Sequence, residues 1–313
     1  MTVSLPAHTR IDVVPIAAAL GAEIRGVNFA QLDAAAFKTI HDAWLSHILL
    51  VFRGQSLGAA ELAALAPLFG APRAAPHRSP YAPSTMNAAR GLPATITVVS
   101  NLAVDGNAIG ILGNRDVAWH SDFSYQAAPP AASLLAAIEA PPRGGGGNTH
   151  FLNAYAAFDA LPAELRQRIA GKTIADHDAD DEPATGAAPR AQGHPLICTH
   201  PATGCSSLFL GRRHGTYVCG CTPAESVDLL GRLWEACVQQ RFCYEHAWSI
   251  GDIVVWDNRC TLHRRDAFDA ASRRLLYAAY AAGHSPYAAP DALRCPAHPR
   301  SLLFALECGV SAT

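Results

Sequence analysis

His120 and Asp122 stand two residues apart in Trp119-His120-Ser121-Asp122, and His263 follows far downstream. On an extended segment, residues i and i+2 project from the same face. His120 and Asp122 could therefore grip one metal ion from one side. A second histidine from a later strand would complete a two-histidine, one-carboxylate facial triad. Such a triad fills three positions of an octahedral Fe(II) and leaves three open, for a chelating cosubstrate and O2. The fold must then bring two distant segments to one point. An isolated His-x-Asp is weak evidence, because the tripeptide arises by chance, so the surrounding sequence has to carry the reading.

The second histidine closes Gly251-Asp252-Ile253-Val254-Val255-Trp256-Asp257-Asn258-Arg259-Cys260-Thr261-Leu262-His263, which reads as a turn, a buried strand and a polar strand end. Arg274 follows eleven positions later, in Ser272-Arg273-Arg274-Leu275-Leu276. A guanidinium can clamp a carboxylate through two parallel charge-assisted hydrogen bonds. A metal triad with a carboxylate clamp is the equipment that 2-oxoglutarate needs.

Length and composition bound the alternatives. The chain has 313 residues, enough for one large domain or two small ones with ample core. Half of the residues are hydrophobic and 16% are charged, which fits a globular chain. A formal charge of −2 gives no electrostatic reason to expect nucleic acid or an anionic membrane. No apolar run approaches the roughly 18 residues of a membrane span. Met1-Thr2-Val3-Ser4-Leu5-Pro6 lacks the basic and apolar blocks of a signal peptide. The nine cysteines are odd in number and form no CxxC pair; Cys219-Gly220-Cys221 is too tight for an ordinary structural zinc site. Free thiols in a reducing cytoplasm are the reading.

Short strands are expected at 11–14 and 21–27, a helix over 32–47, a strand over His47–Arg53 and a helix over 59–69. Residues 72–93 read as a Pro/Ala-rich loop holding His77 and Tyr81. Strands are expected at 95–100, 119–124, 133–139 and 148–153, then two short helical pieces within 154–170 separated near Leu161-Pro162. Strands return at 196–200, 207–210, 252–256 and 274–282, with a helix at 223–239. Residues 176–193 have no apolar pattern, and a loop of that length suggests a lid. Many short strands with turn punctuation indicate a mainly β fold with flanking helices, closed or sandwiched in jelly-roll fashion. Gly144-Gly145-Gly146-Gly147 is read as a flexible turn, since no Lys-Ser/Thr follows to reach phosphates.

Several segments in order now resemble one family: Trp119-His120-Ser121-Asp122-Phe123-Ser124-Tyr125, Pro129-Pro130-Ala131-Ala132-Ser133-Leu134-Leu135, Gly146-Gly147-Asn148-Thr149, Asn153-Ala154-Tyr155-Ala156-Ala157-Phe158, and Trp256-Asp257-Asn258-Arg259 with His263 and Arg273-Arg274. The chain resembles the taurine dioxygenase and 2,4-dichlorophenoxyacetate dioxygenase family of Fe(II)/2-oxoglutarate-dependent oxygenases from about residue 11 to 283. The resemblance implies a double-stranded β-helix core with flanking helices; a single domain over 1–313, carrying the lid at 176–193, is expected. It implies His120, Asp122 and His263 as iron ligands. It also implies that Thr149 and Arg274 hold the distal carboxylate of 2-oxoglutarate, and that O2 is the second cosubstrate. Phe123 and Trp256 are expected to wall the site. The family commonly forms dimers or tetramers.

One departure bears on substrate. Many members have an Arg four residues after the cosubstrate Arg, where it anchors a sulfonate or carboxylate. Here that position is Ala278, which cannot pair an anion. The departure leaves open a neutral, larger or aromatic substrate, or an anion held elsewhere, with His77, Tyr81, Arg115, Asp116 and the lid as candidates. The implied reaction is oxidation of an unactivated C–H bond, with release of succinate and CO2. Hydroxylation, desaturation and cleavage all remain open. Asp122 argues against a halogenase, because a halide needs the carboxylate's coordination position. The rivals are a non-catalytic metal- or small-molecule-binding member of the fold, and a zinc hydrolase using the same ligands, in which Arg274 has no role.

Overall fold

Alternating side chains sort the long apolar strands between two cores. In Leu49–Phe52, Ala132–Glu139, Ile253–Asp257 and Leu275–Ala281, residues such as Leu50, Leu134, Val255 and Ala279 face one way. Leu49, Ala137, Trp256 and Ala278 face the other. Strands buried on both faces place successive side chains in this way. The computed structural model describes residues 10–74, 87, 90–176, 193–294, 298 and 299. In it these strands form the centre of a nine-stranded sheet, ordered Asp12–Pro15, Ala22–Arg25, Leu49–Phe52, Ile253–Asp257, Ala132–Glu139, Leu275–Ala281, Thr97–Ser100, Ile111–Leu112, with Pro72–Arg73 also on Leu275–Ala281. Pairing is antiparallel except where Ala22–Arg25 meets Leu49–Phe52 and Thr97–Ser100 meets Ile111–Leu112.

A second, antiparallel sheet is ordered Cys243–His246, Thr149–Asn153, Thr261–Arg265, Val117–His120. Phe151, Tyr155, Trp248 and Cys260 pack from its side against Trp256, Leu276 and Tyr280 of the large sheet. Helices Ala34–His47 and Ala59–Leu65 cover the outer face of the large sheet. Helices Ala154–Asp159, Ala163–Ile169 and Pro223–Cys237 cover the outer face of the small one, meeting Leu152 and Leu262. The architecture is the expected mainly β jelly roll with flanking helices. Local chemistry sets the helix starts: Asp33 accepts from the Ala36 N–H, and Thr222 and Glu225 form a capping box ahead of Pro223.

Three local expectations are corrected. The strand containing the His-x-Asp ends at His120 rather than at Ser124, and Phe123 has a left-handed φ of 49°. The Asp122 backbone is held by the Asn258 side chain instead of a neighbouring strand, so His120 and Asp122 do not share a pleat. The strand expected from His47 begins at Leu49, because the helix runs to His47 and Ile48 caps it with φ 58°. The helix expected over 59–69 tightens to a 3-10 turn from Ala66, beside Pro67, which has no N–H to continue the ladder. The proposed lid falls, apart from Asp176 and Gly193, outside the described residues, as do His77 and Tyr81.

Candidate active site

Between the two sheets lies a cavity of about 230 Å3. At one end, antiparallel pairing sets His263 directly opposite His120, and their rings lie 4.1 Å apart between centroids. Asp122 reaches the same point from its turn. Its Oδ1 lies 3.7 Å from Nε2 of each histidine. Two ligands about 2.1 Å from one ion lie between about 3 and 4 Å apart, so the Asp122–histidine separations are ones a single ion could bridge. The surroundings fix each donor. His120 Nδ1 lies 2.8 Å from the Ala118 carbonyl; as a donor there, it leaves the Nε2 lone pair for a metal. Ser133 donates to Asp122 Oδ2 at 2.7 Å. Asn258 accepts from the Asp122 N–H at 2.8 Å and donates to the carbonyls of Asp122 and Pro130 at 3.1 Å.

Electrostatics favour the metal-binding forms. Burial, reinforced by His120, pushes His263 down to about 3, so its imidazole is neutral at physiological pH. Burial alone would raise Asp122, but His263, His120 and Ser133 outweigh it and hold the carboxyl at about 2. Two imidazoles and one carboxylate form the donor set that suits a divalent first-row metal with open positions.

Arg274 occupies the other end and is 1% exposed. Its N–H donates to Asn101 Oδ1 and its carbonyl accepts from Ser100, so the backbone is pinned. Its Nε and Nη1 have no partner among the described residues. Burial, then Arg265, lowers the guanidinium to about 9, and it remains charged at pH 7. A buried cation with unsatisfied N–H groups is costly, and a carboxylate would satisfy it. Gly147 borders the guanidinium: at φ +73°, an added Cβ would crowd Phe268 Cδ1 at 3.3 Å and touch Arg274 Cδ and Nε at 3.5 Å. Trp248 Nε1 donates to Thr149 Oγ1 at 3.0 Å, which directs the threonine's own proton elsewhere. Thr149 also lines the cavity. The two expected groups, triad and carboxylate clamp, thus share one chamber.

The side walls are apolar. Phe123, Trp256 and Ala278 line them, with Leu135, Val99 and Tyr280. Ile111 and Leu112 border the cavity and are partly open to solvent. Asp116 is corrected: it is exposed and does not line the cavity. Sequence reasoning passed over Arg265 and Tyr280. Both could have been found by counting in twos, from His263 and from Ala278. Arg212 has no comparable signal; an isolated bridge to His120 brings it in.

Two other groupings of metal-type side chains differ in kind. Asp257 accepts from His200 and from Arg259, and Cys260 beside it is held as a protonated thiol by burial. His150, Glu245 and Asp266 lie nearer the surface, where His150 and Arg264 already pair with Asp266.

The family model described as taurine catabolism dioxygenase TauD, TfdA family matches residues 12–280, and the chain belongs to that family. It is 36% identical over 244 residues to the alpha-ketoglutarate-dependent 2,4-dichlorophenoxyacetate dioxygenase of Cupriavidus pinatubonensis, covering 73% of this chain and 82% of that protein. It is 32% identical to the (S)-phenoxypropionate/alpha-ketoglutarate-dioxygenase of Delftia acidovorans, over 88% and 96% of the two chains. Among solved structures, a taurine dioxygenase from Burkholderia xenovorans superposes with a TM-score of 0.70 at 28% identity, over 90% and 94% of the chains. Within the described residues, no helix is long and apolar enough to cross a membrane.

Proposed function

We propose that this chain is an Fe(II)- and 2-oxoglutarate-dependent dioxygenase that oxidises an unactivated C–H bond of a small organic substrate and releases succinate and CO2. Hydroxylation is the primary outcome, with cleavage or desaturation able to follow. His120, Asp122 and His263 would hold Fe(II), and Arg274 with Thr149 would hold the distal carboxylate of 2-oxoglutarate. The bound iron, with 2-oxoglutarate and O2, supplies the oxidising equivalent. The chain's own residues orient and exclude. Ser133 and Asn258 fix Asp122, Trp248 fixes Thr149, and the walls of Phe123, Leu135, Trp256 and Ala278 keep water from the reacting carbon.

The observation that carries this reading is the buried Arg274, without a partner at Nε and Nη1 among the described residues, in the same cavity as His120, Asp122 and His263. A hydrolytic metal site gives that arginine nothing to do. Ala278 offers the substrate no cation at its position, which favours a neutral or aromatic ligand there. One catalytic domain, a homo-oligomer and a cytoplasmic setting complete the proposal. The test is 2-oxoglutarate-dependent O2 uptake and succinate release by the Fe(II)-loaded protein across neutral and aromatic compounds, with Arg274→Gln alongside. Succinate formed in step with an oxidised product, and a 2-oxoglutarate KM raised about 100-fold in the variant, support it. Turnover with zinc and no 2-oxoglutarate would overturn it.

A further inference from the structure

Arg265 stands two residues beyond His263 on the same strand, so its side chain faces the cavity as His263 does. It is directly opposite Thr149 in the strand register. It is 5% exposed, and its Nε and Nη1 have no partner among the described residues. Its Nη2 is already committed, donating to the carbonyls of Leu112, at 3.0 Å, and Arg115. One ring gathers both guanidiniums: Phe268 lies 5.5 Å from the Arg265 Cζ and 5.8 Å from that of Arg274. Asp116 is the acidic group that acts on Arg265, and it is exposed and forms no ion pair with it among the described residues.

Two like charges gathered on one ring in a buried chamber repel, and no carboxylate of the described residues is paired with either. The register places the open N–H groups of Arg265 beside the residue that would share the distal carboxylate with Arg274. We infer that Arg265 is a second cation for the distal carboxylate of 2-oxoglutarate, so that this pocket binds that carboxylate between two guanidiniums and the Thr149 hydroxyl. The inference rests on the 2-oxoglutarate reading above. It assigns Arg265 a further task. Through Nη2 the same side chain holds the Leu112–Arg115 backbone at the cavity mouth, where Leu112 adopts a left-handed φ of 71°.

The experiment compares two 2-oxo acids on the anaerobic, Fe(II)-loaded protein, following the visible charge-transfer band of the bound 2-oxo acid. One is 2-oxoglutarate and the other 2-oxopentanoate, which shares the chelating end and lacks the distal carboxylate. Arg265→Gln should weaken 2-oxoglutarate about 10- to 100-fold, as loss of a charge-assisted hydrogen bond does, and leave 2-oxopentanoate within about twofold. Equal weakening of both acids, or of neither, makes Arg265 a mere prop for the rim and overturns the inference. Should Arg265→Gln fail to fold, Arg274→Gln decides the matter. With one cation remaining it should still prefer 2-oxoglutarate by more than about tenfold, and no preference would overturn the inference. Wild type that binds neither acid sinks the underlying reading itself.

Discussion

Asn258→Ala tests how the metal site is built. The Asn258 side chain is 1% exposed and makes three hydrogen bonds, two to the Asp122 backbone and one to Pro130. Each is worth about 1 kcal/mol net, and the deletion leaves the part-buried Asp122 N–H without its acceptor. The expected loss is about 3 kcal/mol. At about 2.1 cal/mol/K of unfolding entropy per residue, 313 residues turn that into a melting temperature lower by about 5 °C. The more telling effect is on metal. Asp122 sits past the end of its strand, and Asn258 alone replaces the missing ladder bonds at that residue. Freed, the carboxylate must be ordered again when an ion binds. Fe(II) affinity measured anaerobically by calorimetry should fall about 10- to 100-fold, the usual penalty for losing an orienting partner. A variant that melts about 5 °C lower yet binds Fe(II) as tightly as wild type would refute the reasoning, because Asn258 would then support the fold and not the ligand.

Further predictions concern other supports. Asp257 is buried against His200 and Arg259, which hold its carboxyl well below the usual carboxylate range although burial alone would raise it. A depressed folded pKa contributes stability that is fully present above the unfolded value near pH 4 and is lost as pH falls through the folded value. Asp257→Asn should therefore cost about 3–5 kcal/mol at pH 7. Its gap from wild type should narrow at pH 3 in urea unfolding; a constant or wider gap contradicts the pairing. Gly147→Ala places a methyl against Arg274 and Phe268 at a left-handed φ. It should lower stability by about 1–3 kcal/mol and weaken 2-oxoglutarate at least about tenfold in the charge-transfer titration, with Fe(II) affinity unchanged. Unchanged cosubstrate binding would show that Arg274 needs no such room.

Much of the site was legible because its residues follow simple periods. Thr261–Arg265 and Leu275–Ala281 are strands in which residues two apart share a face, so Arg265 follows from His263 and Tyr280 from Ala278. The His-x-Asp was legible as a motif but not as a geometry. The pleat suggested by its spacing is replaced by a turn whose hydrogen bonds come from Asn258, more than a hundred residues away. The period of two puts Arg265 on the face of His263, but its burial was not legible, because a charged residue at a strand end reads as a solvated one. Its burial is set by Phe268 and the Leu112–Arg115 backbone, which no local pattern announces. Asp116 failed for the opposite reason: a charged residue just ahead of the His-x-Asp strand lies near the chamber in sequence and outside it in space.

The central claim is that one chamber holds both a metal and a 2-oxo acid. The most direct measurement is anaerobic titration of the Fe(II)-loaded protein with 2-oxoglutarate, watching the weak visible charge-transfer band, in wild type and in His263→Ala. A saturable band is expected in wild type and none in the variant. No band in folded, metal-loaded wild type would contradict it and favour a binding protein built on the same fold.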